Sequence, residues 1–327
     1  MPSDPIDQTG GDKMIGERMV EGVPALTLAS DEGVEVAFVP SAGMVGCSLR
    51  HRGEELLGQR GGLRTYMEEH STMGIPLLHP WANRVALSSF PIAGRTVELD
   101  HLDPPPPALD SNGLPMHGLL SAAGGWSVEA HKGTADGGLL FARFDFTGND
   151  ELLAAFPFPH QVLLDASLRA AELRVTTTIL ASDAAAVPIS FGYHTYLRLP
   201  GVDRAEWEVE MPVGERLELD RRMLPTGGRE PVRVENGRLG SRTFDDAYTA
   251  PGEEEPFVLA GGGRRIELRL GDGYRFAQVY APADDDVIAY EAMTAPTNSL
   301  VTGGPDLPVL EPGGRYEAAF SITVAEV

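Results

Sequence analysis

Glu172-Leu173-Arg174-Val175-Thr176-Thr177-Thr178-Ile179-Leu180 places Leu173, Val175, Thr177 and Ile179 on one side of an extended chain. Glu172, Arg174, Thr176 and Thr178 fall on the other side, and a period of two is the signature of a strand with one buried face. The β-branched content fits that reading, because such side chains pack well on a pleated surface. The same pattern recurs outward from this stretch. Val34, Val36 and Phe38 alternate before it. Downstream, Ile266, Leu268 and Leu270 alternate until Gly271-Asp272-Gly273 turns the chain into Tyr274 and Phe276. The closing segment repeats it at Tyr316, Ala318, Phe320 and Ile322. Helical periodicity is nearly absent, with a short helix expected only near 64–70. The 38 glycines and 26 prolines are spread along the chain, as many turns between many strands require.

The expected fold is therefore all-β: one large antiparallel β-sandwich. Residues 1–22 are polar and Gly-rich and read as a loose arm, leaving 23–327 as a single domain. Pro104 to Pro107 reads as a stiff polyproline II connector. The net charge of −22 argues against nucleic acid and anionic membrane surfaces as partners. The single cysteine, Cys47, excludes an internal disulfide and any Cys-based zinc site, and its apolar neighbours suggest a buried strand residue. The opening MPSDPIDQTGGDKM lacks the basic start and apolar core of a signal peptide, and no apolar run approaches ~20 residues. A cytoplasmic protein is the expectation.

Two segments place a titratable group among apolar and aromatic neighbours: Phe191-Gly192-Tyr193-His194-Thr195-Tyr196 and Tyr290-Glu291-Ala292-Met293-Thr294-Ala295-Pro296-Thr297. An imidazole and a carboxyl brought together in a partly dry pocket make a general acid and a general base. Further candidates surround them. Asn83-Arg84 ends an apolar, proline-broken run, and a buried Arg there needs either an internal carboxylate or a ligand's oxygens. His117 in Met116-His117-Gly118, taken alone, reads more simply as a hydrogen-bonded core or turn residue. Asp245 and Asp246 lie against Phe244 and Tyr248, where an acidic turn is the simpler reading. Phe156-Pro157-Phe158-Pro159-His160 reads as a rigid structural turn. Nucleotide loops, a nucleophile elbow, and paired histidines at metal-ligand spacing are missing from the sequence. No cofactor and no metal are expected.

In order, PWANR, MHG, PFPH, FGYHTYLRLP, FDDAY and YEAMTAPTNSL make the chain from about Ala25 to its end resemble the aldose 1-epimerase (galactose mutarotase) family. The resemblance implies a sugar-binding cleft on one sheet's concave face, with Glu291 as general base and His194 as general acid. It also implies that Arg84, His117 and Asp245 hold sugar hydroxyls, with Asn83 in the same substrate-binding set and Asp246 as the alternative to Asp245. The activity so implied is interconversion of the α and β anomers of a free aldohexose such as galactose or glucose. Two alternatives stand beside it, a hexose-6-phosphate 1-epimerase and a non-catalytic carbohydrate-binding or sensor protein. A phosphate site should add a cation beyond Arg84, and Arg198 is the nearest spare. At His79-Pro80-Trp81 the chain departs from the smaller or different aromatic residues of many members, with an expected bearing on substrate preference. The partner expected is a small-molecule sugar, with the assembly open between monomer and homodimer.

Overall fold

Strand Glu172–Ala181 has the alternation read from its sequence: Leu173, Val175, Thr177 and Ile179 are all fully buried. It pairs antiparallel with His160–Arg169 on one side and with Arg315–Glu326 on the other. A computed structural model describes residues 14–102 and 108–327 of the chain. The Pro104–Pro107 connector and residues 1–13 of the expected arm lie outside the described residues. The central strand belongs to a nine-stranded sheet that runs from Gly237–Arg238 to Ser127–Gly133. A seven-stranded sheet is ordered Pro225–Pro231, Glu215–Leu219, Phe244–Thr249, Phe276–Ala281, Ile288–Met293, Gly192–Leu197 and Leu77–Leu78. Its paired strands are antiparallel.

The two large sheets share one core. Tyr193 of the seven-stranded sheet shares a hydrogen bond of 2.7 Å with Thr177 of the nine-stranded one, and its ring packs on Phe320. Tyr290 stacks on Phe257 and donates its hydroxyl to the Val258 carbonyl at 2.8 Å. Each such aromatic contributes about 1.5–3 kcal/mol by leaving water, and its hydroxyl must find a partner once buried. Because side chains alternate along a strand, tying Tyr193 and Tyr290 to the core leaves His194 and Glu291 on the opposite face.

The expected loose arm is corrected by the structure over its second half. Ile15–Val20 forms a strand paired along its full length with Val23–Ala29 through the two-residue turn Glu21-Gly22, both at positive φ. Its residues have no clean inside–outside contrast, which is why periodicity misses it. This hairpin belongs to a five-stranded sheet. The Glu21 carboxylate accepts from the backbone N–H groups of Leu63 and Arg64, capping the helix Gly62–Glu69 that realises the one helical expectation. From that helix, buried Tyr66 accepts from Ala122 N at 2.9 Å, and neighbouring Ser121 donates to the His117 carbonyl.

Two glycines in the chemistry-bearing segments are fixed by space. A Cβ on Gly192 would stand 2.3 Å from the Ala292 carbonyl oxygen, and one on Gly118 would stand 2.2 Å from that of His79. Gly118 also sits at φ +75.

Candidate active site

His194 and Glu291 are directly opposite partners on adjacent antiparallel strands, on the face turned from the core. His194 Nε2 lies 3.1 Å from Glu291 Oε1, and both side chains are buried. The row continues to Gln278, which opposes Glu291 on the next strand. Gln278 donates from Nε2 to Asp245 Oδ1 at 2.6 Å. Sheet geometry alone thus brings together residues that lie about a hundred positions apart.

Two loops close over this row. Asn83 and His117 both adopt left-handed backbone, at φ 56 and 66, and His117 N donates to the Asn83 carbonyl at 2.8 Å. Such conformations are uncommon for residues other than glycine and point to a site held by its surroundings. The Arg84 guanidinium donates to Asp110 Oδ2 at 2.8 Å and to Asn83 Oδ1 at 2.7 Å. The His117 ring stands edge-on to His194, with centroids 5.7 Å apart. Asn83, Arg84, His117, His194, Asp245 and Glu291 all border one cavity of about 220 Å³. Asp246 points away and faces Arg216; alternation along the strand separates the two aspartates.

A larger cavity of about 310 Å³ lies against Arg229, Pro296 and Asp306. Its charged groups among the described residues are the Arg229–Asp306 ion pair, and no buried titratable side chain among them borders it. The buried titratable groups border the smaller cavity.

Burial dominates the electrostatics there. It raises the Glu291 carboxyl well above the usual range; the nearby Asp245 charge adds to this and Arg84 works against it. Burial likewise pushes His194 well below the ordinary histidine value, helped by His117 and Arg60. His117 falls to about 3 through burial and then the charges of Arg84 and Arg60. Asp110 would be raised by burial, but hydrogen bonds from Leu114 N and Arg84 leave it below the ordinary aspartate value. Low dielectric therefore favours one shared proton on the Glu291–His194 pair, either as carboxylic acid and imidazole or as carboxylate and imidazolium. Glu291 Oε2, His194 Nδ1 and His117 Nδ1 are buried with no hydrogen-bond partner among the described residues. Buried polar atoms of that kind are what a polyhydroxylated ligand can satisfy.

An aldose 1-epimerase family model matches residues 24–323. The chain belongs to the aldose 1-epimerase family. It is thereby an isomerase of the carbohydrate epimerase class. Among solved structures, a galactose mutarotase-like protein from Clostridium acetobutylicum is 18% identical, with TM-score 0.82 over 96% of this chain and 98% of that one. An aldose epimerase homologue from C. elegans is 16% identical, with TM-score 0.70 over 96% and 99%. Galactose 1-epimerase from Lactobacillus acidophilus is 15% identical, with TM-score 0.69 over 95% and 98%. At such identities these likenesses speak for the fold. A comparison with curated protein sequences gives no match.

Several pocket residues of this epimerase-family chain escaped the sequence reading. Arg60 is a second cation at the cavity, where the motifs supplied Arg84 alone; Thr72, Tyr196 and Tyr280 also border it. Tyr196 was findable, because it sits two positions from His194 on the same strand face. Arg60 carries no local signal; the fold delivers it from far upstream. Arg198, the spare cation of the sequence reading, is not among the cavity residues. His79 and Trp81 are buried in the protein interior and do not border the cavity, so direct contact with a substrate there is not their role. Among the described residues, no group of three His, Cys, Asp or Glu could hold a metal ion, and no helix is long and apolar enough to cross a membrane.

Proposed function

We propose that this protein interconverts the α and β anomers of a free, uncharged aldohexose such as galactose or glucose. The observation that carries the reading is the 3.1 Å contact between Glu291 and His194 on one face of the sheet. The anomeric hydroxyl oxygen and the ring oxygen of a cyclic aldose are bonded to the same carbon. A base and an acid must therefore reach them from neighbouring positions, as two side chains opposed across adjacent strands do. In the carboxylate–imidazolium form, Glu291 removes the proton of the anomeric hydroxyl while His194 Nε2–H protonates the ring oxygen. The C1–ring oxygen bond breaks and an aldehyde forms. Rotation about C1–C2 presents the other carbonyl face, and the ring hydroxyl attacks C1. His194 recovers its proton, and Glu291 returns the other to the carbonyl-derived oxygen. No atom, electron or proton is left over.

Arg84, Asn83, His117 and Asp245 bind and orient the remaining hydroxyls in this reading. Arg84, which opposes the rise of the Glu291 pKa, favours the carboxylate form that must act as base. A pure sugar-binding module has no need to desolvate both members of an acid–base pair, which favours catalysis over a sensor. Both cations at the cavity have carboxylate partners, Arg84 on Asp110 and Arg60 on Asp285. That pairing favours a neutral sugar over a hexose 6-phosphate. Polarimetry of freshly dissolved α-D-glucose and α-D-galactose tests the proposal. Rotation should reach equilibrium faster with enzyme than without, and an unchanged rate for every free aldose would refute it.

A further inference from the structure

Asp110 does not border the cavity, yet it holds Arg84, which does. Its two carboxylate oxygens have different partners. Oδ1 accepts from the backbone N–H groups of Asn112 at 2.8 Å and Leu114 at 2.9 Å. Oδ2 accepts from Arg84 Nε at 2.8 Å, with Asn112 Nδ2 farther off at 3.4 Å. One oxygen closes the loop and the other holds the guanidinium. The return limb of that loop, 115–117, pairs with 83–85. Val85 N donates to the Pro115 carbonyl at 3.0 Å, and Arg84 faces Met116 in an antiparallel bridge. The loop that carries Asp110 is therefore the one that delivers Asn83, Arg84 and His117 to the cavity. A guanidinium has five N–H donors. Asp110 takes Nε–H and Asn83 Oδ1 takes one from Nη1, so three remain without a partner among the described residues. Side-chain exposures are 15% for Arg84 and 4% for Asp110, against 27% and 34% for Arg60 and Asp285. Solvent screens the second pair, whereas the first is shielded and its charges cancel at close range.

We propose that Asp110 determines the charge specificity of the cavity: it fixes Arg84 and cancels its charge, so that the free N–H groups serve neutral hydroxyl oxygens and not an anion. The inference rests on the neutral-sugar reading above and names the residue that enforces it. A lone guanidinium in a water-poor cavity carries an uncompensated charge, and a phosphate or carboxylate is the ligand that relieves it. A guanidinium already neutralised offers only dipolar donors. Those suit hydroxyl oxygens, and a second anion would meet the Asp110 charge beside them.

Asp110→Asn tests this. Its Oδ1 still accepts from the Asn112 and Leu114 amides, while its Nδ2 sets a donor against Arg84 Nε–H. The reverse orientation would set Nδ2 against two backbone donors, so the loop selects the first. Calorimetric titration at constant ionic strength measures binding of inorganic phosphate and of galactose. The ratio of phosphate affinity to galactose affinity should rise at least about tenfold in Asp110→Asn, the weight of one hydrogen bond to a charged group. Adding Arg84→Gln should return phosphate binding to the wild-type level. An unchanged ratio would overturn the proposal. So would a gain that survives Arg84→Gln, since the cation would then be another. Should Asp110→Asn melt below the assay temperature, Asp110→Ser keeps a side-chain acceptor for the loop amides and carries the same comparison. If wild type neither binds nor mutarotates any free aldose, the proposed function falls first. Phosphate titration of wild type and variants then decides the role of Asp110 alone, and equal affinities would sink it.

Discussion

A carboxyl and an imidazole in contact within a dry pocket behave as one acid–base unit, and substitutions should reveal it. Glu291→Gln keeps shape and one accepting oxygen but cannot take a proton, so kcat should fall by about 10²–10⁴ while sugar binding persists. His194→Asn should act mainly on kcat as well, whereas Arg84→Ala should raise KM, because hydroxyl binding serves ground and transition states alike. Polarimetric progress curves over a range of sugar concentrations separate the cases. Wild-type kcat in Glu291→Gln would remove it as the base. The pH profile of kcat/KM carries a second expectation. Activity needs one proton on the pair. A second proton is added only below the ordinary His value of 6.5, because His194 is shifted down. The single proton leaves only above the ordinary Glu value of 4.5, because Glu291 is shifted up. The profile should be a broad bell with its acid limb below pH 6.5, and activity that climbs as pH falls from 6.5 to 4 would contradict it.

At the scale of elements, the two histidines set aside as structural or as substrate-related form a buried pair. His79 Nε2 lies 2.7 Å from His160 Nε2, and His160 Nδ1 contacts the Phe158 carbonyl. That carbonyl can only accept, so His160 Nδ1 carries a proton, His160 Nε2 is bare, and His79 Nε2 donates. Burial lowers both, His160 to about 4. The unfolded chain therefore binds more protons than the folded one below about pH 6.5. Stability from the pair is complete above that value and declines as pH falls towards 4, by up to about 2.7 kcal/mol per pH unit while both differ. Urea unfolding at pH 7 and pH 5 should show the loss, and His79→Phe with His160→Leu should lessen it, leaving the share of buried His117 and His194; an unchanged slope would refute the pair's role. Strands such as Glu172–Ala181 were legible because one face is apolar. Ile15–Val20 was not, because a mixed-face edge strand has no period to read. The row of candidate residues was legible through its segments, yet its register, His194 opposite Glu291, is a property of pairing that no segment contains.

At the scale of the molecule, charge becomes decisive. A phosphate dianion approaching a protein of net charge −22 meets an unfavourable field, and both cavity cations already have carboxylate partners. Free glucose should have higher kcat/KM than glucose 6-phosphate at both low and physiological salt. Salt should narrow the gap only partly, since screening acts over ~8–10 Å and leaves the local pairing intact. A clear preference for the phosphate at both salt levels would overturn the neutral-substrate reading.

The capped helix has a practical meaning for anyone trimming the gene. A boundary drawn at Val23 looks safe if the preceding residues are an unstructured leader, but it deletes Glu21 and the whole strand Ile15–Val20. Leu63 and Arg64 lose their carboxylate cap, which is worth about 0.5–2 kcal/mol. The slack reaches the cavity by two routes: Arg60 lies two residues before the helix, and Tyr66 grips the Ala122 segment that follows His117. A chain starting at Val23 should melt earlier and turn over sugar more slowly than one starting at Met14, even though neither cut touches a residue of the cavity.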